Sequence, residues 1–280
     1  MIRIMIKLFC EAVFLFMLIS CNNTASVRSI DTSSFGNINM IKEIDGQVYV
    51  LNATTSSVHL LKDGKLELFI DLRVKGRDFL QDFDIEDDTL YYSNTYDEIF
   101  ISSGSVIEDT LKVKNPDRIA VLENQVYVTS RKAEEGFYYM KKIDPDTNMI
   151  LKTIQLNDEP LHGLMQEDYG LFRYKDSLAV YNPVRKRIEK YDKELELRYT
   201  VGFKDDLEYG NLYISDDLIR ILCVKDDNIS VLEIQSDGRR SMFDTGIQSE
   251  NIDIGSSCLT NSAVYLYDYI DGRIIIRDLK

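Results

Sequence analysis

Histidine is almost missing from this chain of 280 residues, which carries only His59 and His162. A zinc or nucleophilic hydrolase therefore has little to work with. No Gly-x-Ser-x-Gly elbow, His-Glu-x-x-His pair or phosphate-cradling glycine loop occurs. A triad would have to recruit His162, and nothing nearby nominates its serine. Proline is scarce too, at 4 residues, and no low-complexity linker interrupts the chain. No domain boundary stands out, although length alone permits one domain or two. Positive charge is in deficit, with 33 basic against 47 acidic side chains and a net charge of −14. Such a surface repels nucleic acid phosphates and anionic headgroups, so neither is an expected ligand. Finally, no apolar stripe of helical period is sustained for four turns. What remains is short runs of Tyr, Ile, Val and Leu broken by Asp, Asn, Gly and Ser, the punctuation of strands and turns. The expected class is all-β.

The first residues differ from the rest. Arg3 and Lys7 supply positive charge, an apolar stretch runs from Ala12 to Ile19, and Ser20-Cys21 follows; Glu11 is the one discordant residue. Basic, apolar and small residues in that order mark a secretory signal. The run is too short to span a bilayer, which takes about 20 residues. Leu18-Ile19-Ser20-Cys21 resembles the bacterial lipobox. That resemblance implies a diacylglyceryl group on Cys21, cleavage before it and acylation of the new amino terminus. The alternative is an ordinary signal with an incidental cysteine. Two or three acyl chains make anchoring stable. The reading is a signal peptide over 1–20, a lipidated tether over 21–24 and a folded domain over 25–280. Its place would be the bacterial cell envelope, on the periplasmic or cell-surface side of a membrane. Loss of residues 1–20 leaves 31 of the 33 basic and 46 of the 47 acidic side chains, a net charge near −15.

One module recurs along the folded part. Its second strand has an aliphatic–aromatic–aliphatic centre, at Val48-Tyr49-Val50, Leu90-Tyr91-Tyr92, Val126-Tyr127-Val128, Leu178-Ala179-Val180, Ile219-Arg220-Ile221 and Val264-Tyr265-Leu266. The spacings are 42, 36, 52, 41 and 45 residues. Two residues past each centre stand Asn52, Asn94, Ser130, Asn182, Cys223 and Asp268. Five of these are small hydrogen-bonding side chains able to start a turn. Third strands then lead into turns such as Asp63-Gly64 and Asp237-Gly238, strong hairpin signals. Six four-stranded modules of about 40 residues are the arithmetic of a six-bladed β-propeller. The sixth module ends after its third strand, near Leu279, so the segment Ala25–Asp31 is expected to close the ring as the outer strand of the last blade. A flexible tether is the other reading of that segment.

With these repeats and its lipobox, the chain resembles the NHL-like and TolB-like six-bladed propeller lipoproteins of bacteria over residues 25–280. Function in such folds usually sits on loops around the channel. Aligning the modules puts Asn39, Gln81, Asp82, Asp117, Arg118, Tyr169 and Asn211 at or near first-strand starts. Arg77 and His162 fall in the loops just before, and Asp253 in the last such loop. These are candidates for a binding mouth; the alternative is that they are solvated loop residues. No cofactor is expected. Certain propeller lactonases hold a divalent cation in the channel, and Asp82, Asp117, Asn211 and Asp253 would be the oxygen ligands for one such as calcium. Cys223 and Cys258 stand in neighbouring modules and either pair as a disulfide in an oxidising envelope or pack as buried thiols. Arg185-Lys186-Arg187 is the one basic cluster, a site for an anionic partner or a solvated turn. Phe137-Tyr138-Tyr139 reads as strand before it reads as a carbohydrate platform. The expected function is non-enzymatic binding or scaffolding of a protein, peptide or glycan. The alternative is a channel-site enzyme, a metal-dependent hydrolase or lactonase or a polysaccharide lyase.

Overall fold

A computed structural model describes residues 26–279 apart from 73–79, 95–96, 105, 133–134, 161–168, 203–207, 216–217 and 250–253. Its first strand is β1 (Val27–Asp31). Blade one follows as β2 (Ile38–Ile44), β3 (Gln47–Asn52), β4 (Ser57–Lys62) and β5 (Lys65–Asp71), and blade two as β6 (Leu80–Glu86), β7 (Thr89–Asn94), β8 (Glu98–Ser103) and β9 (Val106–Lys112). Blade three is β10 (Pro116–Leu122), β11 (Gln125–Lys132), β12 (Phe137–Asp144) and β13 (Met149–Gln155). Blade four is β14 (Gly170–Tyr174), β15 (Ser177–Asn182), β16 (Arg187–Asp192) and β17 (Leu197–Gly202). Blade five is β18 (Glu208–Ile214), β19 (Leu218–Lys225), β20 (Asn228–Gln235) and β21 (Arg240–Gln248). The last blade is β22 (Ile254–Leu259), β23 (Ala263–Asp268) and β24 (Arg273–Asp278), with β1 paired outside β24. Each blade is an antiparallel four-stranded sheet in sequential order, and the sixth is completed by the amino-terminal strand.

The turn chemistry explains the short hairpins. Asp45-Gly46 and Asp63-Gly64 have positive φ at both positions, as does Glu123-Asn124. Two consecutive left-handed residues make the tight turn whose twist matches that of the flanking strands. The turns after the second strands of blades one and four share a cause. Asn52 accepts from the Thr55 amide and donates to the Phe35 carbonyl, and Asn182 accepts from the Arg185 amide and donates to the Leu156 carbonyl. Each side chain thus closes its turn and pins the connection that brings the chain into its blade. Both are fully buried, where unmade bonds of these amides would be costly.

Packing closes the ring. Six buried apolar clusters fall one at each blade–blade contact. Tyr49, Leu51, Phe83 and Tyr92 join blades one and two, for example, while Ile41, Val50, Ile274 and Ile276 join blade one to blade six. The tyrosines at the strand centres fill these interfaces, as their repeat suggests. The two cysteines do not pair, and the fold shows why. Cys223 packs in the cluster between blades four and five, whereas Cys258 packs in the cluster between blades six and one. Their side chains face away from each other, and both are buried thiols; burial pushes the Cys258 thiol well above its ordinary pKa. Neighbouring modules do not bring together residues on opposite faces of their blades.

Candidate functional site

The first strand of every blade is innermost, and β2, β6, β10, β14, β18 and β22 have inner strands as neighbours. Side chains on these strands reach across to the next inner backbone. Asn39 donates to the Leu80 carbonyl at 3.0 Å, and Asn211 to the Ser257 carbonyl at 2.7 Å. The Ser256 hydroxyl accepts from the Ile41 amide. Between blades two and three the pattern becomes a ladder. Asp82, Asp84 and Glu86 alternate along β6, and their carboxylates accept from the amides of Ile119 (2.7 Å), Val121 (2.7 Å), and both Glu123 (3.0 Å) and Asn124 (2.8 Å). Glu86 therefore fills the small anion-binding concavity made by successive amides of the Glu123-Asn124 turn.

Two cations complete this arrangement. Lys42 on β2 donates to the carbonyls of Phe83 (2.7 Å) and Ile119 (2.9 Å), and its ammonium stands 3.4 Å from Asp82. Arg173 on β14 pairs with Asp45 at 2.7 Å and lies 3.9 Å from Glu86. Burial drives the pKa of Asp84 up, against the opposing pull of Lys42 and Arg173. Burial also works against the charge of Arg173, but Asp84, Asp45 and Glu86 outweigh it and its pKa is raised.

These bonds bound a cavity of about 430 Å³, to which all six innermost strands contribute. It opens at the mouth where those strands end. Blade one supplies Lys42–Asp45, blade four Phe172–Lys175, blade five Asn211–Ile214 and blade six Cys258 and Leu259, with Asp84, Glu86 and Leu122 from blades two and three. Phe172, Tyr174 and Tyr213 give it aromatic surface. Glu43 is held up in pKa by burial, although its carboxylate accepts from the Gly46 amide at 2.7 Å; Tyr213 is raised likewise, by burial and the charge of Glu43. The volume lies in the range of small-ligand sites, 300–1,000 Å³.

The cavity is at the mouth opposite to the one the sequence nominates. Of the nominated residues, Asn211 lines it. Asp82 is buried, with both carboxylate oxygens committed to the Phe83 and Ile119 amides, so it is not available as an open ligand. Tyr169 is buried in the core against Tyr138, ring centroids 4.5 Å apart, and serves packing. Asp117 and Arg118 are half-buried at the start of β10, where the Arg118 amide donates to the Thr129 hydroxyl. Arg77, His162 and Asp253 lie outside the described residues. Among the described residues no three His, Cys, Asp or Glu side chains group as metal ligands; of the suggested set, Asp82 and Asn211 bond to neighbouring inner strands, and Asp253 lies outside the described residues. The basic cluster is spoken for as well. Arg185 and Arg187 both pair with Glu189, which is fully buried and also accepts from the Tyr191 hydroxyl at 2.7 Å. Sequence reasoning missed Lys42, Glu43, Arg173 and Tyr213. Their signal was position alone, near the ends of first strands.

Known structures share the architecture. Virginiamycin B lyase from Staphylococcus aureus superposes with a TM-score of 0.55 at 10% identity, over 91% of this chain and 99% of that one. The β-propeller domain of Cps50 (Swd1) from Myceliophteria thermophila gives 0.59 at 13% identity, over 87% and 84%. BamB from Moraxella catarrhalis gives 0.48 at 9% identity, over 88% and 84%. No protein-family model and no curated protein matches the chain. At these identities the likeness to the first two is one of fold alone, and one fold hosts many functions.

Proposed function

We propose that this chain is a lipid-anchored binding protein of the bacterial cell envelope, held by Cys21. Its channel-mouth cavity takes a polar, near-neutral part of a peptide, protein or glycan ligand. The observation that supports this reading is the prior commitment of the cavity's charged groups. Lys42 is bonded to two carbonyls, Arg173 to Asp45, Glu86 to a turn and Glu43 to the Gly46 amide. Charges already mated between blades make a rigid, preformed socket, which spares a ligand the cost of ordering it. The lining carries Lys42, Arg173 and Lys175 against Glu43, Asp45, Asp84 and Glu86, a near balance that does not favour a strongly charged ligand. Aromatic faces beside polar groups suit a sugar ring or an extended peptide.

Peptide and glycan arrays probed with the soluble domain test the binding half. Ligands captured by the wild type should be weakened roughly 5- to 30-fold by Tyr213→Ala or Tyr174→Ala, the loss of about 1–2 kcal/mol expected of an aromatic contact. Unchanged affinity in both variants, or conversion of a captured ligand into product seen by mass spectrometry, would overturn it. For the anchor, Cys21→Ser should abolish labelling with a fatty-acid probe; undiminished labelling would remove the lipoprotein reading.

A further inference from the structure

Of the two groups that meet across the cavity, Arg173 and Asp45, one is fixed and the other is not. The Arg173 guanidinium is held on its own side. It donates to the Val121 carbonyl at 3.4 Å and stands 3.9 Å from Glu86, which the amides of Glu123 and Asn124 hold in turn. Asp45 is held differently. It lies in the hairpin turn between β2 and β3, at φ 51°, and its side chain is mostly in solvent. A pair with one partner so exposed is weak, so water can take Asp45 from Arg173 at little cost. The cavity thus contains a fixed guanidinium whose carboxylate can leave.

The walls select what accompanies an incoming carboxylate. Leu122, Phe172, Leu212 and Leu259 line the cavity beside Tyr174 and Tyr213, a surface for an apolar side chain. The strands around it are the edges of their sheets, so β2 and β14 each turn one row of backbone groups to the channel. An extended peptide can bond to such groups. The lining runs from the middle of the inner strands to their turns, and at its inner end Lys42 reaches from blade one to the Phe83 and Ile119 carbonyls. A chain end fits such a cup, because it need not run on or turn back. We propose that the cavity receives the carboxyl terminus of a peptide chain, whose carboxylate takes the place of Asp45 on Arg173. The proposal rests on the binding reading and names the part of the ligand that is bound. The exchange keeps the charges of the lining in balance, since one carboxylate moves into solvent as another arrives. Asp45 is then a built-in competitor, kept at high local concentration by its short tether. Its removal should strengthen binding.

The test uses the full chain in detergent micelles and an array of random pentapeptides fixed by their amino ends. Each sequence is presented twice, once with a free carboxyl terminus and once as the carboxamide. Capture confined to the free acids is the expected result. Asp45→Asn should tighten that capture about two- to five-fold, the strength of the weak pair it removes. Asparagine tolerates the positive φ of that turn, so the variant keeps the hairpin. Asp88→Asn is the control for charge alone. Asp88 is an exposed acid with positive φ in the equivalent turn of blade two, outside the Arg173 pair, and its loss should leave capture unchanged. Arg173→Lys keeps a cation over Asp84 but loses the planar fork, and should weaken capture roughly ten-fold. Equal capture of acids and carboxamides, or capture of neither, overturns the proposal; capture of carboxamides through internal Asp or Glu counts in the same way. It is also overturned if Asp45→Asn binds no tighter than the wild type, if Asp88→Asn gains as much, or if Arg173→Lys binds as well. The binding reading fails separately. It stands when glycans or carboxamides are captured in a manner that depends on Tyr213 or Tyr174, even though the terminus is then the wrong ligand.

Discussion

Arg173 and Asp45 pair at 2.7 Å across the channel mouth, and in a ring of six their blades, four and one, stand opposite each other. The two partners are not equivalent. The Arg173 side chain is 17% exposed and sits over buried Asp84, while that of Asp45 is 77% exposed. Asp45→Ala should therefore cost no more than about 1 kcal/mol, as an exposed pair does. Arg173→Met should cost about 3–5 kcal/mol, because it strips the compensating charge from a buried carboxylate. Urea unfolding of both variants checks this, and equal losses would show that the bridge, not the cover over Asp84, is what Arg173 supplies.

Glu43 gives the cavity a pH signature. Burial raises its pKa above the ordinary 4.5. Between that ordinary value and the raised one, the folded chain keeps a proton that the unfolded chain has lost. Stability then falls as pH rises through the window. Glu43→Gln keeps an oxygen for the Gly46 amide and removes the titration. Relative to the wild type, the variant should gain stability as pH rises from roughly 4 to 8. Melting curves that run parallel over that range would mean Glu43 titrates normally.

Much of the fold was legible because a propeller repeats its signals. The six predicted second-strand centres lie in β3, β7, β11, β15, β19 and β23, and the segment expected to close the ring is β1. Local chemistry sets these features, through tyrosines that fill blade interfaces and asparagines that close turns. The site was less legible because it is assembled between modules. Asp82-Phe83-Asp84-Ile85-Glu86 alternates visibly, yet alternation says only that the acids share a face. It cannot say that this face meets the amides of another inner strand. The same limit explains the cysteines, whose modules are neighbours but whose side chains face different interfaces. Arg185 and Arg187 read as surface charge because Glu189, four and two residues on, carries no mark of burial.

That Glu189 network is a stability element. Its carboxylate is 0% exposed, holds both guanidinium groups and accepts from the Tyr191 hydroxyl. Glu189→Ala should cost about 3–5 kcal/mol, since two cations and a hydroxyl lose their buried partner. Glu123→Ala breaks an exposed pair with Lys193 and should cost well under 1 kcal/mol. Chemical denaturation of the two variants tests the contrast. Similar values would mean that the Glu189 carboxylate is solvated and its two arginines lose little without it.

Ring closure depends on β1, and its energetics are unlike those of an apolar strand. Most of β1 is exposed, and only Ile30 packs partly against the core between blades six and one. Its contribution comes from five residues paired with β24, in register from Val27–Arg277 to Asp31–Arg273. At about 0.5–1.5 kcal/mol per backbone bond, removing it should cost about 2–5 kcal/mol, a sizeable share of a total of 5–15 kcal/mol. A chain beginning at Thr32 should melt on the order of 10 °C below one beginning at Ala25. It should also aggregate, because the bared edge is the apolar run Ile274-Ile275-Ile276. A synthetic peptide of residues 25–32 should restore both properties by adding the missing strand back to the edge. Equal melting temperatures would mean that β1 is dispensable. A loss that the peptide does not reverse would place the defect elsewhere than at the bared edge of β24.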